Sequence, residues 1–279
     1  MDATSDFTVM FWGTRGSIAC AGPHTVWYGG NTPCLEVTCG DRRLIFDGGT
    51  GLPNLGRHLA KQGQLSADLF LTHTHLDHVV GIPFFAPLHR KEDAIRIWAG
   101  HLQPMGGTLR SALRDMMNPP LFPVPPEIFQ ASVTFNDFDA GDTLDLGDGI
   151  TLRTAPLNHP NGCTGYRVDY GGRSLCYISD TEHIPGQRDQ TIVDLVAGAD
   201  LMIYDCTYTD DEFPRYVGFG HSTWQEGIRI CEDAGVKQLA IFHHAPEHDD
   251  DFLDHVAAAA ERARQGTVVA REGQILDLT

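Results

Sequence analysis

At 279 residues with 42% hydrophobic content, the chain is long enough to bury a sizeable core as one domain spanning residues 1–279, and no composition shift or Ser/Pro-rich linker divides it. A net charge of −17 argues against broad adhesion to nucleic acid or anionic membranes, so no large nucleic-acid partner is expected and any anionic substrate must be attracted locally. The N-terminal stretch MDATSDFTVMFWG has no basic segment followed by an apolar one, and no run approaches membrane-spanning length; the expectation is a cytoplasmic protein with no membrane partner. Seven cysteines, scattered and without a C-x-x-C pair, read as reduced core residues.

In chain order, a strand over residues 7–12 runs into the turn Gly13-Thr-Arg-Gly-Ser17, whose glycines permit positive φ and so can present backbone N–H groups and one cation to a site. An ordinary turn with a solvated arginine is the plainer alternative. Strands over 34–39 and 43–46 form a hairpin and deliver Asp47-Gly-Gly-Thr-Gly51, followed by a helix over 52–62. The apolar run 69–71 ends a buried strand, and directly after it come His73, His75, Asp77 and His78. Alternation in an extended segment points His73 and His75 the same way, and the chain must then turn to bring Asp77 and His78 round. Two clusters result: imidazole and carboxylate donors suit zinc and its neighbours, so His73 and His75 can hold one ion, Asp77 and His78 a second.

Beyond the cluster, residues 79–88 read as the start of a short helix whose N-terminus faces the site, and 95–98 as a strand. Residues 101–130 break the α/β rhythm: a helix over 105–117 precedes the proline-stiffened run 118–126, which is too apolar for a flexible linker. It reads either as a lid or wall over the site, one form of which is donated across a homodimer, or as a loop packed on its own surface. Strands over 132–135, 142–146 and 150–155 lead to His159. A hairpin over 165–170 and 174–178 delivers Asp180, a helix spans 188–197, and a strand over 199–204 leads to Asp205. After Gly220-His-Ser-Thr-Trp224 come a helix over 223–235, a strand over 238–242 ending at His243-His244, a helix over 250–264 and short closing strands.

H-x-H-x-D-H after an apolar strand resembles the signature of metallo-β-lactamase fold hydrolases, and HTHLDH at 73–78 matches it at every defined place. That resemblance implies an α/β fold built as a four-layer αββα sandwich. It implies two divalent metal ions, zinc with manganese or iron as alternatives, one held by His73, His75 and His159, the other by Asp77, His78 and His243, with Asp180 shared. Of the pair at 243–244, the strand direction favours His243.

The H-S-T segment, preceded by the strand that ends at Asp205, looks like the branch holding ribonuclease Z and small phosphodiesterases. There a histidine paired with an acidic residue acts on the leaving group, which falls here on His221 and Asp205; ribonuclease Z usually has glutamate at the latter place. Two dications less Asp77, Asp180 and a bridging hydroxide leave a surplus of about one positive charge, matched to a phosphodiester. The implied chemistry is in-line attack of that hydroxide, with Asp77 orienting it and His221 protonating the departing alkoxide. The expected activity is a phosphodiesterase acting on a small or cyclic phosphodiester. The alternatives are a lactonase or other acyl hydrolase on the same metals, and a ribonuclease Z-type tRNA 3′ endonuclease, which would need a basic arm that the acidic balance speaks against.

Overall fold

The computed structural model describes residues 6–279, so residues 1–5 of the stretch read for a leader lie outside it. Strands β1 (Phe7–Gly13), β2 (Cys34–Cys39), β3 (Arg42–Phe46), β4 (Ser66–Leu71), β5 (Ala94–Ala99) and β6 (Ser132–Asp137) form one sheet, closed at its far edge by β14 (Ile275–Asp277) in the order β14-β1-β2-β3-β4-β5-β6. The second sheet, β13-β12-β11-β10-β9-β8-β7, takes β7 (Thr143–Gly147), β8 (Ile150–Leu157), β9 (Cys163–Tyr170), β10 (Arg173–Ile178), β11 (Leu201–Asp205), β12 (Gln238–Phe242) and β13 (Val268–Val269). Each sheet is an antiparallel meander on one side and a parallel run on the other: β3 to β6 are parallel, and so are β10 to β13.

Three apolar clusters account for the layers. Phe11, Val37, Phe46 and Phe70 of the first sheet meet Tyr166, Tyr177, Ile203 and Phe242 of the second in the central layer. The opposite face of the first sheet packs on α1 (Leu52–Leu59) and α3 (Leu109–Met116). The opposite face of the second packs on α4 (Gln190–Val196), α5 (Trp224–Ala234) and α6 (Asp250–Ala263). Parallel strands are apolar on both faces because both faces are covered, which is why β4 and β11 read as continuous apolar runs. The αββα sandwich expected from the sequence is the fold found.

Local differences have local causes. The helix expected to begin past His78 begins three residues earlier as α2 (Leu76–Val79), with Asp77 and His78 inside it. Gly81, Pro83 and Pro87 then confine the chain to two short 3₁₀ turns at Ile82–Phe84 and Ala86–His89. The helix in the insert starts at Leu109, not 105, because Gly106 turns with φ of +70° and Thr108 caps the helix with Ser111. Within the proline run the Phe122 ring meets Phe84 edge-on, 5.9 Å between centroids, so part of the insert packs on the 3₁₀ turn that follows the histidine motif. All seven cysteines are free, and all but Cys20 are buried. No helix among the described residues is long and apolar enough to cross a membrane.

Candidate metal centre

The candidate side chains leave from the C-terminal ends of strands in both sheets. His73 follows β4, His159 follows β8, Asp180 follows β10, Asp205 ends β11 and His243 follows β12. Several of these ends carry an unusual backbone. Asp180 (φ 58°) and His243 (φ 63°) are left-handed, as are Asp47 (φ 62°) after β3 and Ser17 (φ 64°). A left-handed residue at a strand end turns its side chain across the sheet axis, at a cost of about 1–3 kcal/mol that the surrounding packing has to offset.

All seven predicted ligand residues are brought together in two adjoining groups. His73, His75 and His159 form one; Asp77, His78, Asp180 and His243 form the other, with the donor atoms of each group within 4.8 Å of one another. Asp180 faces both groups. Its Oδ2 lies 3.6 Å from His73 Nε2 and 3.7 Å from His159 Nε2, while Oδ1 lies 3.3 Å from His78 Nε2 and 3.2 Å from His243 Nε2. Asp77 Oδ2 completes the second group at 3.3 Å from His78 Nε2 and 3.5 Å from His243 Nε2. Donors placed tetrahedrally around a zinc-sized ion at ordinary bond lengths stand roughly 3.3–3.5 Å apart, so the spacing suits two ions side by side.

Hydrogen bonding supports the same conclusion independently. The Nε2 atoms of His73, His78 and His243 are buried and have no hydrogen-bond partner among the described residues. Their Nδ1 atoms are engaged. His78 Nδ1 donates to Asp47 Oδ2 at 2.8 Å, since a carboxylate can only accept. Thr207 Oγ1 spends its proton on Asp205 Oδ1 at 2.7 Å and therefore accepts from His243 Nδ1 at 2.9 Å. His159 Nδ1 donates to the Gly220 carbonyl at 2.7 Å. Each contact fixes a tautomer with its Nε2 lone pair aimed into the cluster, the form that binds metal. Unpartnered buried polar atoms are costly, and converging ones are explained by a cation.

The electrostatics agree. Burial lowers the pKa of His73, His75 and His159, keeping them neutral. Burial works the same way on His78, but Asp180, Asp77 and Asp47 overcome it and raise its pKa well above normal. Burial alone would raise Asp180, but His243, His78 and His73 hold it well below the usual carboxylate range. The carboxylates thus favour positive charge at the cluster, which dications would supply.

His221 and Asp205 stand beside this cluster. His221 Nδ1 lies 2.9 Å from Asp205 Oδ2 and 3.9 Å from Asp180 Oδ2. Burial tends to lower the His221 pKa, but Asp205 outweighs it and pushes the imidazole up to about 9. The shorter Asp205, where glutamate was the resembled pattern, still reaches its histidine. His244 points away, its Nε2 donating to the Ala270 carbonyl at 2.7 Å.

The sequence marks the Asp47 turn without giving its carboxylate a role, and it marks neither Glu182 nor Thr207. Asp47 is fully buried and its carboxylate accepts from the Thr72 amide, the Tyr177 hydroxyl and His78, tying both sheets to one ligand. Glu182 Oε2 accepts the Gly218 and Gly220 amides at 2.7 and 2.8 Å and so fixes the approach to His221. The turn at 13–17 presents an amide, not a cation: Ser17 N–H donates to Asp77 Oδ2 at 2.9 Å. Arg15, neither solvated nor at the site, is buried and donates to the carbonyls of Gly29, Ala245 and His248. A carboxylate ending a buried strand was the available signal for Asp47; Glu182 had none, because its partners are backbone amides far along the chain.

Comparison with known proteins bears on the partner. A ribonuclease Z of Haloferax volcanii is 25% identical over 85% of this chain and 86% of its own. Two solved structures share the fold: the metallo-beta-lactamase fold protein YhfI from Bacillus subtilis, at 21% identity, TM-score 0.72 and coverage of 97% of this chain and 99% of that one; and the short form of human tRNase Z, at 19% identity, TM-score 0.67 and coverage of 98% and 99%. The expectation that a large nucleic acid would be no partner is overturned by the ribonuclease Z and the tRNase Z among these, which are nucleases of RNA by name. The physical error lies in reading a local property from a sum: net charge governs diffuse adhesion, whereas a dimetal cluster supplies positive charge only where a phosphate sits. The Beta-lactamase superfamily domain profile matches residues 42–244. A sandwich whose strand ends converge on two His/Asp clusters, matched by that profile over most of its length, makes this chain a member of the beta-lactamase superfamily.

Proposed function

We propose that the chain is a dinuclear metal-dependent phosphodiesterase that cuts RNA in the manner of ribonuclease Z, with His221 as its general acid. One observation carries the reading: a histidine bonded at 2.9 Å to a buried carboxylate stands at the edge of the cluster, 3.9 Å from Asp180. Departing alkoxides are strong bases, so phosphodiester cleavage gains from such a donor. His73, His75 and His159 would hold one ion and Asp77, His78 and His243 the other, with one Asp180 oxygen toward each. Zinc fits this N/O donor set, and manganese or iron are the alternatives. When bound, such ions supply Lewis acidity, a lowered pKa for water and charge to hold the non-bridging phosphate oxygens.

The protein's own groups position and protonate. Asp205 keeps the Nδ1 proton of His221 and so turns Nε2–H toward the substrate. Water gives up one proton to solvent as its oxygen adds to phosphorus, the ester P–O bond breaks, the electron pair leaves with the departing oxygen, which takes the Nε2 proton, and His221 regains a proton from solvent. Asp77, held by the Ser17 amide, keeps its carboxylate facing the cluster. The substrate class rests on the ribonuclease Z relative that spans most of both chains. The test is a panel of precursor tRNA, cyclic nucleotides, bis(p-nitrophenyl) phosphate and an acyl lactone, with metal analysis of the purified protein. Cleavage of RNA and the nitrophenyl diester without lactone turnover is expected. Turnover of cyclic diesters alone would move the substrate to small molecules, and lactone hydrolysis without any diesterase activity would overturn the reading.

A further inference from the structure

Large apolar side chains are exposed beside the metal cluster. Ile18 follows Ser17, Leu76 lies between two ligands, Ile184 follows Asp180 by four residues, and Phe219 precedes His221 by two; all are more than half exposed. Phe219, at 61% exposure, differs from the others in being held by a stack of rings. Tyr208 and Tyr216 lie face to face, 4.3 Å between centroids and 3° from parallel, and Tyr216 meets Phe219 edge-on at 5.7 Å and 89°. At the other end Tyr208 lies 6.2 Å from the His221 ring. The ladder therefore runs from the proposed proton donor to the surface.

The backbone around it is fixed as well. Glu182 holds the amides of Gly218 and Gly220 on either side of Phe219, and the Gly220 carbonyl accepts from His159. Gly220 has φ of +86°, and a Cβ there would run into the His159 ring. An exposed ring on so constrained a segment is offered from a fixed backbone position, with Tyr216 against its edge, which favours planar partners of similar size.

We propose that Phe219, backed by Tyr216 and Tyr208, is a stacking platform for the nucleobase of the departing nucleoside. This deepens the phosphodiesterase reading and rests on it for one assignment only: a platform reached from the group that protonates the departing oxygen serves the half of the substrate bearing that oxygen. Stacking tolerates any base, because every base has a π face, so the platform contributes affinity without sequence preference.

Two measurements test it. In the first, adenylyl-adenosine and its two singly abasic twins are hydrolysed by wild type, F219A and F219W, the products identifying the departing side. F219A is expected to raise KM for the intact substrate by roughly 5- to 100-fold with a much smaller change in kcat, and to have far less effect on the twin lacking the departing base; F219W is expected to restore KM. Equal changes on intact and abasic substrates, or failure of tryptophan to rescue, would overturn the platform. The second needs no turnover: fluorescence of F219W is titrated with adenosine and with ribose, and quenching by adenosine alone is expected. Quenching without hydrolysis by any variant would overturn the catalytic reading and leave the platform standing; hydrolysis without quenching would do the reverse.

Discussion

The two sheets contribute to the site in opposite ways. The first delivers four candidate ligands within six consecutive residues, His73 to His78, from the end of one strand and the short helix that follows it. The second delivers His159, Asp180, Asp205, His221 and His243 from separate strand ends and loops spread over more than eighty residues. A compact motif owes its geometry to local backbone and is nearly complete once the strand and turn form. A dispersed one owes its geometry to parallel strands ending at the same level, and so to the whole sheet. Variants in the two regions should fail differently.

The largest effect is expected at the residue that joins them. Asp180→Ala should reduce metal content from about two ions per chain to one or fewer and abolish turnover, because its two oxygens face different clusters. Metal analysis that still finds two ions would break the bridging assignment. Chelation should also lower the melting temperature, since ion binding offsets the repulsion of converging carboxylates.

Next is His221→Ala, which lies wholly within the dispersed set. Both ions should stay bound, while cleavage of a diester with a poor alkoxide leaving group falls by roughly 10²–10⁴-fold and of a nitrophenyl diester by far less. Equal losses on both would return His221 to a binding or structural role. Because the donor must be protonated, the rate should fall as pH rises through its pKa. Asp205 raises that pKa, so Asp205→Asn should move the alkaline limb of the pH–rate profile to lower pH; an unmoved limb would detach the pair from the chemistry.

A smaller effect tests whether the compact motif is as self-sufficient as its sequence suggests. Asp47→Asn should weaken metal binding by roughly 10–100-fold without touching a ligand, by loosening the His78 tautomer and the Tyr177 bond that crosses between sheets. Unchanged affinity in a competition with a chelator would mean the motif holds its own geometry. Smallest is Glu182→Gln, which keeps an acceptor but loses its charge: kcat should drop about five- to tenfold with metal content intact. A change in metal content instead would show that Glu182 acts through His159.

This contrast also explains what the sequence made legible. HTHLDH declares itself because all its donors are neighbours, and Asp180 and His243 follow because each ends a recognisable strand. Asp47 was visible only as part of a glycine-rich turn, since nothing local tells that its carboxylate reaches His78, thirty-one residues on. Thr207 and Glu182 work by accepting or relaying bonds from residues that only the folded sheet brings near. The helix at Leu76 was misplaced because His75, extended at φ −64° and ψ 153°, starts it inside the motif, a start that no capping side chain marks. The charge argument failed for a different reason, as it averaged over a surface what the site concentrates at a point.

The N- and C-terminal parts of the chain are interlocked, and this bears on the order in which the protein can be made. β1 is paired along one edge with β14, Thr8 opposite Asp277, and buried Arg15 donates to the carbonyls of Ala245 and His248. A ribosome that has released the histidine motif has made four ligands but none of the partners from the second sheet. The nascent half therefore has an open strand edge and an unfinished turn until β14 and residues 245–248 have been made. The full donor set exists only once β12 has formed and the loop bearing His243 is seated against the turn that holds Asp77.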